Sequence, residues 1–190
     1  MRREARERAV FLDRDGTINV EREYLHRIED FAFIPGVPAA IRQLKEAGFR
    51  VIVVTNQSGI GRGYYDEAAL CLLHRHLDAE LARIGTGIDA YYFCPHHPQH
   101  AAGAYRRECS CRKPLPGMLL QAAGDFGLDL GASYIIGDKL ADIEAGLAAG
   151  CRPVLVRTGY GAAEEPQLPE GVPCYDDLPA AVAALVAGRI

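Results

Sequence analysis

The sequence lacks a long apolar run, an excess of basic residues and a secretory leader. No stretch approaches the roughly 18 apolar residues that a membrane span needs, so we expect no membrane partner. Asp and Glu number 25 against 21 Lys and Arg, and this balance, without a basic stripe, argues against nucleic acid as a partner. The charged segment 1–10 has no small-residue cleavage site, which predicts a cytoplasmic protein.

Internal repeats, low-complexity tracts and an interdomain linker are also missing, so we expect one domain over residues 1–190. Because no sustained apolar heptad is present, we expect a monomer. A chain of this length buries enough surface to fold without disulfides or metal, so its six cysteines need another explanation. In a reducing compartment, clustered cysteines indicate metal binding or catalysis rather than disulfides.

Short β-branched runs alternate with helical patterns along the chain. We predict strands at 9–13, 50–55, 88–93, 133–137 and 153–156, helices at 38–47, 66–84, 118–126, 141–149 and 179–187, and a surface loop at 159–173. This alternation predicts an α/β fold with a doubly wound parallel sheet. Ligands bind such sheets beyond the carboxyl ends of the strands, so the residues that follow each strand are the functional candidates.

Polar residues follow three of the predicted strands. The first strand ends in Asp13-Arg14-Asp15-Gly16-Thr17, the second in Thr55-Asn56-Gln57-Ser58-Gly59, and the fourth in Gly137-Asp138-Lys139, with Asp142 beyond. Carboxylates that converge on one edge repel one another unless a cation joins them, and oxygen ligands favour Mg²⁺.

Asp13 and Asp15 are two residues apart, so in an extended segment their side chains leave from the same side while Arg14 points away. One carboxylate could then attack a substrate while the other moves protons. The alternative is an ordinary strand-to-turn transition, in which Asp and Gly serve only the turn.

A cluster of cysteine and histidine follows the third predicted strand, in the irregular segment 94–113. The pattern is C-x-H, twelve residues, then C-x-C, formed by Cys94, His96, Cys109 and Cys111. Three thiolates and one imidazole are a ligand set of closed structural zinc sites, and zinc would stabilise a loop poor in regular structure. His97 and His100 are alternative ligands, and metal-free thiols, a strained Cys109–Cys111 disulfide or a redox pair are alternatives to zinc.

The remaining cysteines and histidines receive no functional role. We expect Cys71, Cys151 and Cys174 to be small buried hydrophobic residues. His26, His74 and His76 are interpreted as surface or packing residues.

Together the motifs resemble the haloacid dehalogenase (HAD) superfamily, whose signature is D-x-D-G-T, a Ser or Thr after the second strand, a Lys and an acidic G-D motif. The resemblance implies a Rossmann-like core in which Asp13 is the nucleophile that forms an aspartyl phosphate and Asp15 is the general acid and base. It implies that Thr55 and Lys113 stabilise the phosphoryl group. The implied Mg²⁺ ligands are Asp13, the main-chain carbonyl of Asp15, Asp138 and the main chain of Lys139.

The cysteine loop narrows the resemblance within the superfamily. C-P-H-H-P followed by C-x-C-R-K-P-x-P-G-M is similar to the D-glycero-D-manno-heptose 1,7-bisphosphate phosphatase family and the related histidinol-phosphate phosphatases, and it selects His96 as the zinc ligand. The heptose family implies removal of the C7 phosphate, a step toward nucleotide-activated heptose for bacterial surface glycans such as lipopolysaccharide. The sequence has no insertion large enough for a separate cap domain, so we expect a core without a large cap.

The same resemblance implies substrate contacts from Glu21, Arg22, Glu23, Tyr24, Asn56, Gln57, Ser58 and Arg112. Arg112 would bind a second substrate phosphate, because a guanidinium matches phosphate geometry. Two alternatives remain open: a histidinol-phosphate phosphatase and, from another class, a non-catalytic zinc-containing module that binds a phosphoryl ligand.

Overall fold

The computed structural model describes residues 6–190, so the first five residues of the predicted domain and of the charged N-terminal segment lie outside the described residues. Within these residues, six parallel strands form one sheet in the order β3-β2-β1-β4-β5-β6. The strands are β1 (Ala9–Leu12), β2 (Arg50–Asn56), β3 (Ala90–Cys94), β4 (Tyr134–Gly137), β5 (Arg152–Val156) and β6 (Cys174–Tyr175). The predicted doubly wound parallel sheet is confirmed.

The strand β1 lies at the centre of the sheet, between β2 and β4. Val10 is in register with Val51 on one side and with Tyr134 on the other. The chain order therefore reverses between β1 and β4, which is the position where sheets of this type bind ligands. Beyond the end of β1, the Asp13 amide donates to the Ile136 carbonyl at 3.0 Å, which fixes Asp13 against β4.

Helices cover both faces of the sheet. They are α1 (Val37–Glu46), α2 (Ser58–Gly61), α3 (Glu67–Ala82), α4 (Gly117–Phe126), α5 (Leu140–Ala149), α6 (Gly161–Glu164) and α7 (Leu178–Val186). Val10 and Leu12 face a core with α1, α3 and α7, whereas Ala9 and Phe11 face a second core with α4 and α5. Burial on both faces explains why β1 is apolar at every position.

The predicted strands and helices agree with the structure to within two residues at each end. The loop prediction for 159–173 was wrong in part, since this segment contains α6 and a 3₁₀ turn at Glu165–Gln167. The short elements α2 and β6 were not predicted, because four and two residues show no periodicity. Cys71 is exposed on α3 and Cys174 is half-buried, so neither is buried as predicted, whereas Cys151 is buried.

The described residues contain no large cap on the sheet, in agreement with the prediction. Within the same residues, no helix combines the length and the apolar character that a membrane crossing requires.

Gly146 allows α5 to pack closely on β4. A Cβ at this position would lie 2.2 Å from Cγ2 of Ile135, a buried side chain that cannot move aside. We expect Gly146→Ala to lower the free energy of unfolding by about 1–2 kcal/mol, because overpacking exceeds the gain in helix propensity. Gly124→Ala in α4 is the matched control, since a Cβ there meets no atom within 4 Å. We expect the free energy of unfolding of this control, measured with urea, to rise by up to about 1 kcal/mol. Equal changes in both variants would contradict the packing argument.

Candidate active site

A cleft of about 430 Å³ lies beyond the carboxyl ends of the strands. It is lined by Asp13, Asp15, Glu21, Glu23, Tyr24, Thr55, Asn56, Gln57, Ser58, Gly59, Arg62, Tyr65, Arg112, Lys113, Lys139, Ala141, Asp142 and Tyr160. The structure therefore brings together most of the residues that the sequence proposes for catalysis and substrate binding. Arg22 is exposed and Asp138 is fully buried, and neither lines the cleft.

The ammonium group of Lys113 is buried at the base of the cleft. It donates to Asp13 Oδ1 at 2.8 Å and to the Val54 carbonyl at 2.7 Å, and it forms an ion pair with Asp142 Oδ1 at 2.5 Å. Burial acts to lower the pKa of Lys113, but the charges of Asp13 and Asp142 outweigh it and raise the pKa. Lys113 therefore carries a fixed positive charge beside Asp13.

Asn56, at the end of β2, holds the main chain of Lys113. The Asn56 side-chain amide donates to the Lys113 carbonyl at 3.0 Å, and its oxygen accepts from the Lys113 amide at 3.1 Å. This side chain is thus bonded to protein at both ends. Its action in this structure is to fix the end of the cysteine loop on the sheet.

Three buried carboxylates meet below the cleft. One oxygen from each of Asp13, Asp138 and Asp142 lies within 4.8 Å of the others. Burial, followed by the charge of Asp13, raises the pKa of Asp138 to about 8. Burial likewise raises the pKa of Asp142 to about 6, although Lys113 opposes the shift. The cluster therefore holds more negative charge than Lys113 alone offsets.

The carboxylate of Asp138 has one oxygen bonded and one without a partner. Oδ2 accepts from the Tyr160 amide at 2.9 Å, whereas Oδ1 is buried and has no hydrogen-bond partner among residues 6–190. Gly16 and Gly159, both with positive φ, lie so close to this carboxylate that a Cβ on either would collide with it. A buried orphan oxygen beside two further carboxylates fits a divalent cation that prefers oxygen ligands, such as Mg²⁺.

Asp15 lies at the cleft wall and accepts hydrogen bonds on both oxygens. The donors are Arg14 at 2.7–3.2 Å, Asn19 Nδ2 at 3.0 Å and Gln57 Nε2 at 3.0 Å. Burial acts to raise the pKa of Asp15, but the charge of Arg14 and these hydrogen bonds lower it overall. Asp13 and Asp15 line the cleft and Arg14 does not, as expected. The contact of the Arg14 guanidinium with Asp15 was not expected, and it arises because β1 ends at Leu12 and the chain turns from Asp13 onward.

Thr55 and Gln57 form one hydrogen-bonded unit beside Asp15. Gln57 Nε2 donates to Thr55 Oγ1 at 2.8 Å, and the Tyr65 hydroxyl donates to Gln57 Oε1 at 2.5 Å. Because Thr55 Oγ1 accepts from Gln57, its own hydrogen is available for an anion in the cleft.

The segment after β1 forms the cleft entrance. Tyr24, with φ +58°, packs edge-on against Tyr64 at 4.8 Å between ring centroids. Glu21 lies 3.7 Å from Lys139 Nζ, and burial, followed by the charge of Asp15, raises its pKa. The structure therefore places Glu21 and Tyr24 where they can contact a substrate that enters.

The candidate zinc ligands lie together in the loop after β3. Cys94 Sγ is 3.6 Å from His96 Nδ1, 3.5 Å from Cys109 Sγ and 3.2 Å from Cys111 Sγ. Cys111 Sγ is 3.4 Å from His96 Nδ1. With Zn–S of about 2.3 Å and Zn–N of about 2.0 Å, tetrahedral ligands are separated by distances of this order. The donor set therefore fits a structural zinc ion.

The alternative ligand His97 is occupied elsewhere. Its Nδ1 accepts from the amides of Gln99 and His100, each at 3.1 Å, which closes a turn. Arg112 extends from the same loop into the cleft, and its Nη1 donates to the His96 carbonyl at 3.4 Å.

Sequence reasoning missed several residues of this site. Asp142 was noted beyond the fourth strand without a role, although its position in the first turn of α5, three residues after Lys139, places it at the sheet edge. Gly159 and Tyr160 follow β5, so the rule that selected the other strand ends could have found them. No sequence signal indicated the pairing of Arg14 with Asp15.

Comparisons with known proteins identify similar sequences and folds. A family model described as HAD-hydrolase-like matches residues 110–181. The D-glycero-beta-D-manno-heptose-1,7-bisphosphate 7-phosphatase of Yersinia pestis is 48% identical over 184 residues, which cover 93% of this chain and 95% of that protein. The protein of the same name from Escherichia coli K12 is 48% identical over 92% of this chain and 93% of its own.

Solved structures give the same relationship. The D,D-heptose 1,7-bisphosphate phosphatase from B. bronchiseptica, solved with magnesium and phosphate, is 37% identical with a TM-score of 0.87, covering 95% of this chain and 99% of that one. The D,D-heptose 1,7-bisphosphate phosphatase from Burkholderia thailandensis is 36% identical with a TM-score of 0.72, at the same coverage.

The cysteine loop predicts a specific response to ligand removal. We expect Cys109→Ala to reduce the zinc content from about one ion per chain to near zero and to lower the melting temperature, because the closed site needs four ligands. Elemental analysis and thermal unfolding measure both effects. Cys71→Ala, at an exposed cysteine on α3, is the matched control and should retain its zinc. Full zinc content in Cys109→Ala would show that the ligand set is wrong.

The raised pKa of Asp138 predicts a pH-dependent stability of the metal-free protein. In the folded protein the Asp138 carboxyl keeps its proton up to about pH 8, whereas in the unfolded chain it loses the proton near pH 3.8. The free energy of unfolding therefore falls as the pH rises through this window. We expect Asp138→Asn to remove this loss, and its advantage over the wild type to grow between about pH 5 and about pH 8. Urea unfolding of chelator-treated protein measures the difference. An advantage independent of pH would refute the expectation.

Proposed function

This chain belongs to the D-glycero-D-manno-heptose 1,7-bisphosphate 7-phosphatase family of HAD-type phosphatases, and from that membership we propose that it removes the C7 phosphate of D-glycero-D-manno-heptose 1,7-bisphosphate. The observation that carries this function is 48% identity to the Yersinia pestis enzyme over nearly the whole of both chains. Together with the buried Asp13–Lys113 pair, this identity favours a catalytic protein over a binding module. Because the names of the enterobacterial relatives specify the β anomer, we propose the β anomer as substrate.

The first half of the reaction transfers the phosphoryl group to Asp13. Lys113 holds Asp13 Oδ1, so Oδ2 attacks the phosphorus while the bond from phosphorus to the C7 oxygen breaks. Asp15 gives its proton to that leaving oxygen. Because the pKa of Asp15 is lowered in the cleft, the carboxylate first takes up a proton from solvent, which the approach of the anionic substrate favours.

The second half releases inorganic phosphate. The Asp15 carboxylate takes a proton from water, the water oxygen attacks phosphorus, and the bond between phosphorus and Asp13 breaks. The Thr55 hydroxyl donates to a phosphoryl oxygen, and Lys113 supplies positive charge in both halves. Asp142 acts through Lys113, which it holds by an ion pair.

Two metal ions complete the proposal. Asp13, the main-chain carbonyl of Asp15, Asp138 and the main chain of Lys139 would hold Mg²⁺, whose charge reduces repulsion between an anionic nucleophile and an anionic phosphate. Cys94, His96, Cys109 and Cys111 would hold a structural Zn²⁺. Because Lys113 and Arg112 extend from this loop, the zinc ion would position both of them.

Arg112 is proposed to bind the substrate's second phosphate, with Glu21, Glu23, Tyr24, Gln57 and Ser58, which also line the cleft, as further contacts. Its side chain lines the cleft, and a guanidinium binds phosphate bidentately. Histidinol phosphate has one phosphate and would leave Arg112 without a partner. This difference favours the bisphosphate over the histidinol-phosphate alternative.

The wider cellular setting also remains a proposal. We infer one phosphatase domain with the zinc loop at 94–113, a monomeric state and a cytoplasmic location. These inferences rest on the sequence arguments alone.

A parallel rate comparison tests the proposed substrate. With saturating Mg²⁺, we expect kcat/KM to be highest for the β anomer of heptose 1,7-bisphosphate, followed by the α anomer, with fructose 1,6-bisphosphate and histidinol phosphate far lower. Asp13→Asn, which keeps the shape of the nucleophile, should show no turnover and controls for contaminating phosphatases. Faster hydrolysis of histidinol phosphate would overturn the proposed substrate.

Arg112→Ala extends the same experiment. We expect it to reduce kcat/KM for the bisphosphate by about 10- to 100-fold, because a charged hydrogen bond contributes about 1.5–3 kcal/mol. For heptose 7-phosphate, which lacks the second phosphate, the reduction of kcat/KM should be much smaller. An equal loss on both substrates would exclude Arg112 from recognition of the second phosphate.

A further inference from the structure

Arg14 is the largest fully buried side chain among those described, and nothing in the reaction so far uses it. Its Nη2 donates to both oxygens of Asp15, at 2.8 and 2.7 Å, and its Nε donates to Asp15 Oδ1 at 3.2 Å. A buried cation is costly unless a carboxylate and further hydrogen bonds compensate it. The burial of Arg14 beside one particular aspartate therefore requires an explanation.

The guanidinium is itself held from two other segments. Its Nη2 donates to the Leu25 carbonyl at 3.2 Å, and its Nη1 lies 3.5 Å from His74 Nε2 on α3. Burial, followed by the charge of Arg14, lowers the pKa of His74 to about 3, so the imidazole is neutral and its Nε2 can accept. The ring of His74 stacks on Tyr91 of β3 at 4.2 Å between centroids. Arg14 is thus fixed by groups that have no contact with the cleft.

The remaining contacts of Asp15 would not fix its direction as firmly. Asn19 and Gln57 donate one neutral hydrogen bond each, and Gln57 also serves Thr55. Charge-assisted bonds from a guanidinium are about twice as strong as neutral ones and fix the carboxylate plane as well as its position. The orientation of Asp15 therefore depends mainly on Arg14.

We propose that Arg14 is the positioning residue of the acid and base carboxylate: its buried guanidinium, held by His74 and Leu25, sets where Asp15 stands relative to the leaving oxygen. This rests on the proposed function in one respect, that Asp15 exchanges a proton with that oxygen. Arg14 gives up no proton and, being fully buried, does not reach the substrate. The Asp13–phosphorus bond forms and the phosphorus–oxygen bond breaks as before, with the Asp15 proton passing to the departing oxygen.

A leaving-group comparison tests this role. Arg14→Lys keeps the charge but replaces a planar fork by a single point donor. We expect it to reduce kcat/KM for the heptose bisphosphate, whose alkoxide must be protonated, by about 30- to 100-fold, since positioned acid catalysis contributes about 10²–10⁴. For p-nitrophenyl phosphate, whose phenolate leaves without a proton, we expect a loss below about threefold. Equal losses on both esters, or no loss on either, would overturn the proposal.

Two further variants keep the test decisive. His74→Leu removes the acceptor that holds Arg14 and replaces Arg14→Lys in the test if that variant does not fold. We expect it to reduce kcat/KM about 3- to 10-fold more for the heptose bisphosphate than for p-nitrophenyl phosphate. Arg50→Lys is the matched control, because Arg50 makes a comparable fork to Glu7 at the amino end of β2. It should leave both rates unchanged.

Asp15→Asn separates this proposal from the proposed function. If Asp15→Asn reduces kcat/KM equally for both esters, the acid role of Asp15 is wrong, and the proposed role of Arg14 is wrong with it. If Asp15→Asn is selective for the heptose bisphosphate and Arg14→Lys is not, Asp15 remains the acid and Arg14 does not position it.

Discussion

The ion pairs of Lys113 are the interaction on which the rest of the site depends. Its ammonium is buried among Asp13, Asp142 and the Val54 carbonyl, where burial alone would favour the neutral amine. The two carboxylates reverse that preference, and the ammonium in turn allows both of them to be buried at the end of the sheet. The loop 94–113 must therefore be placed accurately. Asn56 does this on the sheet side by two hydrogen bonds, and the cysteine cluster at the other end of the loop offers a second anchor.

The charge that Lys113 does not offset explains the fit for a cation. Asp138 has a raised pKa and a buried oxygen that no other described residue hydrogen-bonds, while a Cβ on Gly16 or Gly159 would collide with its carboxylate. The main chain that approaches Asp138 is thus as much a part of the site as the carboxylates. The fold creates this arrangement because β1 and β4, which carry Asp13 and Asp138, are neighbours at the point where the strand order reverses.

The sequence predicts those parts of the site that regular structure places. Asp13, Thr55 and Asp138 were predicted from the parallel strands, because the carboxyl ends of such strands meet at one edge of the sheet. Lys113 was found through motif resemblance, because an irregular loop has no periodicity to interpret. The zinc ligands were found from the C-x-H and C-x-C spacing, and the resemblance supported only the choice of His96. The contact of Arg14 with Asp15 was not predicted, since the extended spacing holds only as far as Leu12. The two hydrogen bonds between Asn56 and Lys113 join positions 57 residues apart, and no local pattern encodes such a contact.

The two aspartates of D-x-D-G-T are neighbours in sequence but stand in different environments. Asp13 pairs with an ammonium from the cysteine loop, which holds one of its oxygens and leaves the other for attack. Asp15 pairs with a guanidinium fixed from α3 and the segment after β1, which binds both of its oxygens and turns the carboxylate toward Gln57. Two carboxylates acquire two roles when their surroundings differ in this way. Because the two cations come from separate parts of the fold, one role can be altered without displacing the other.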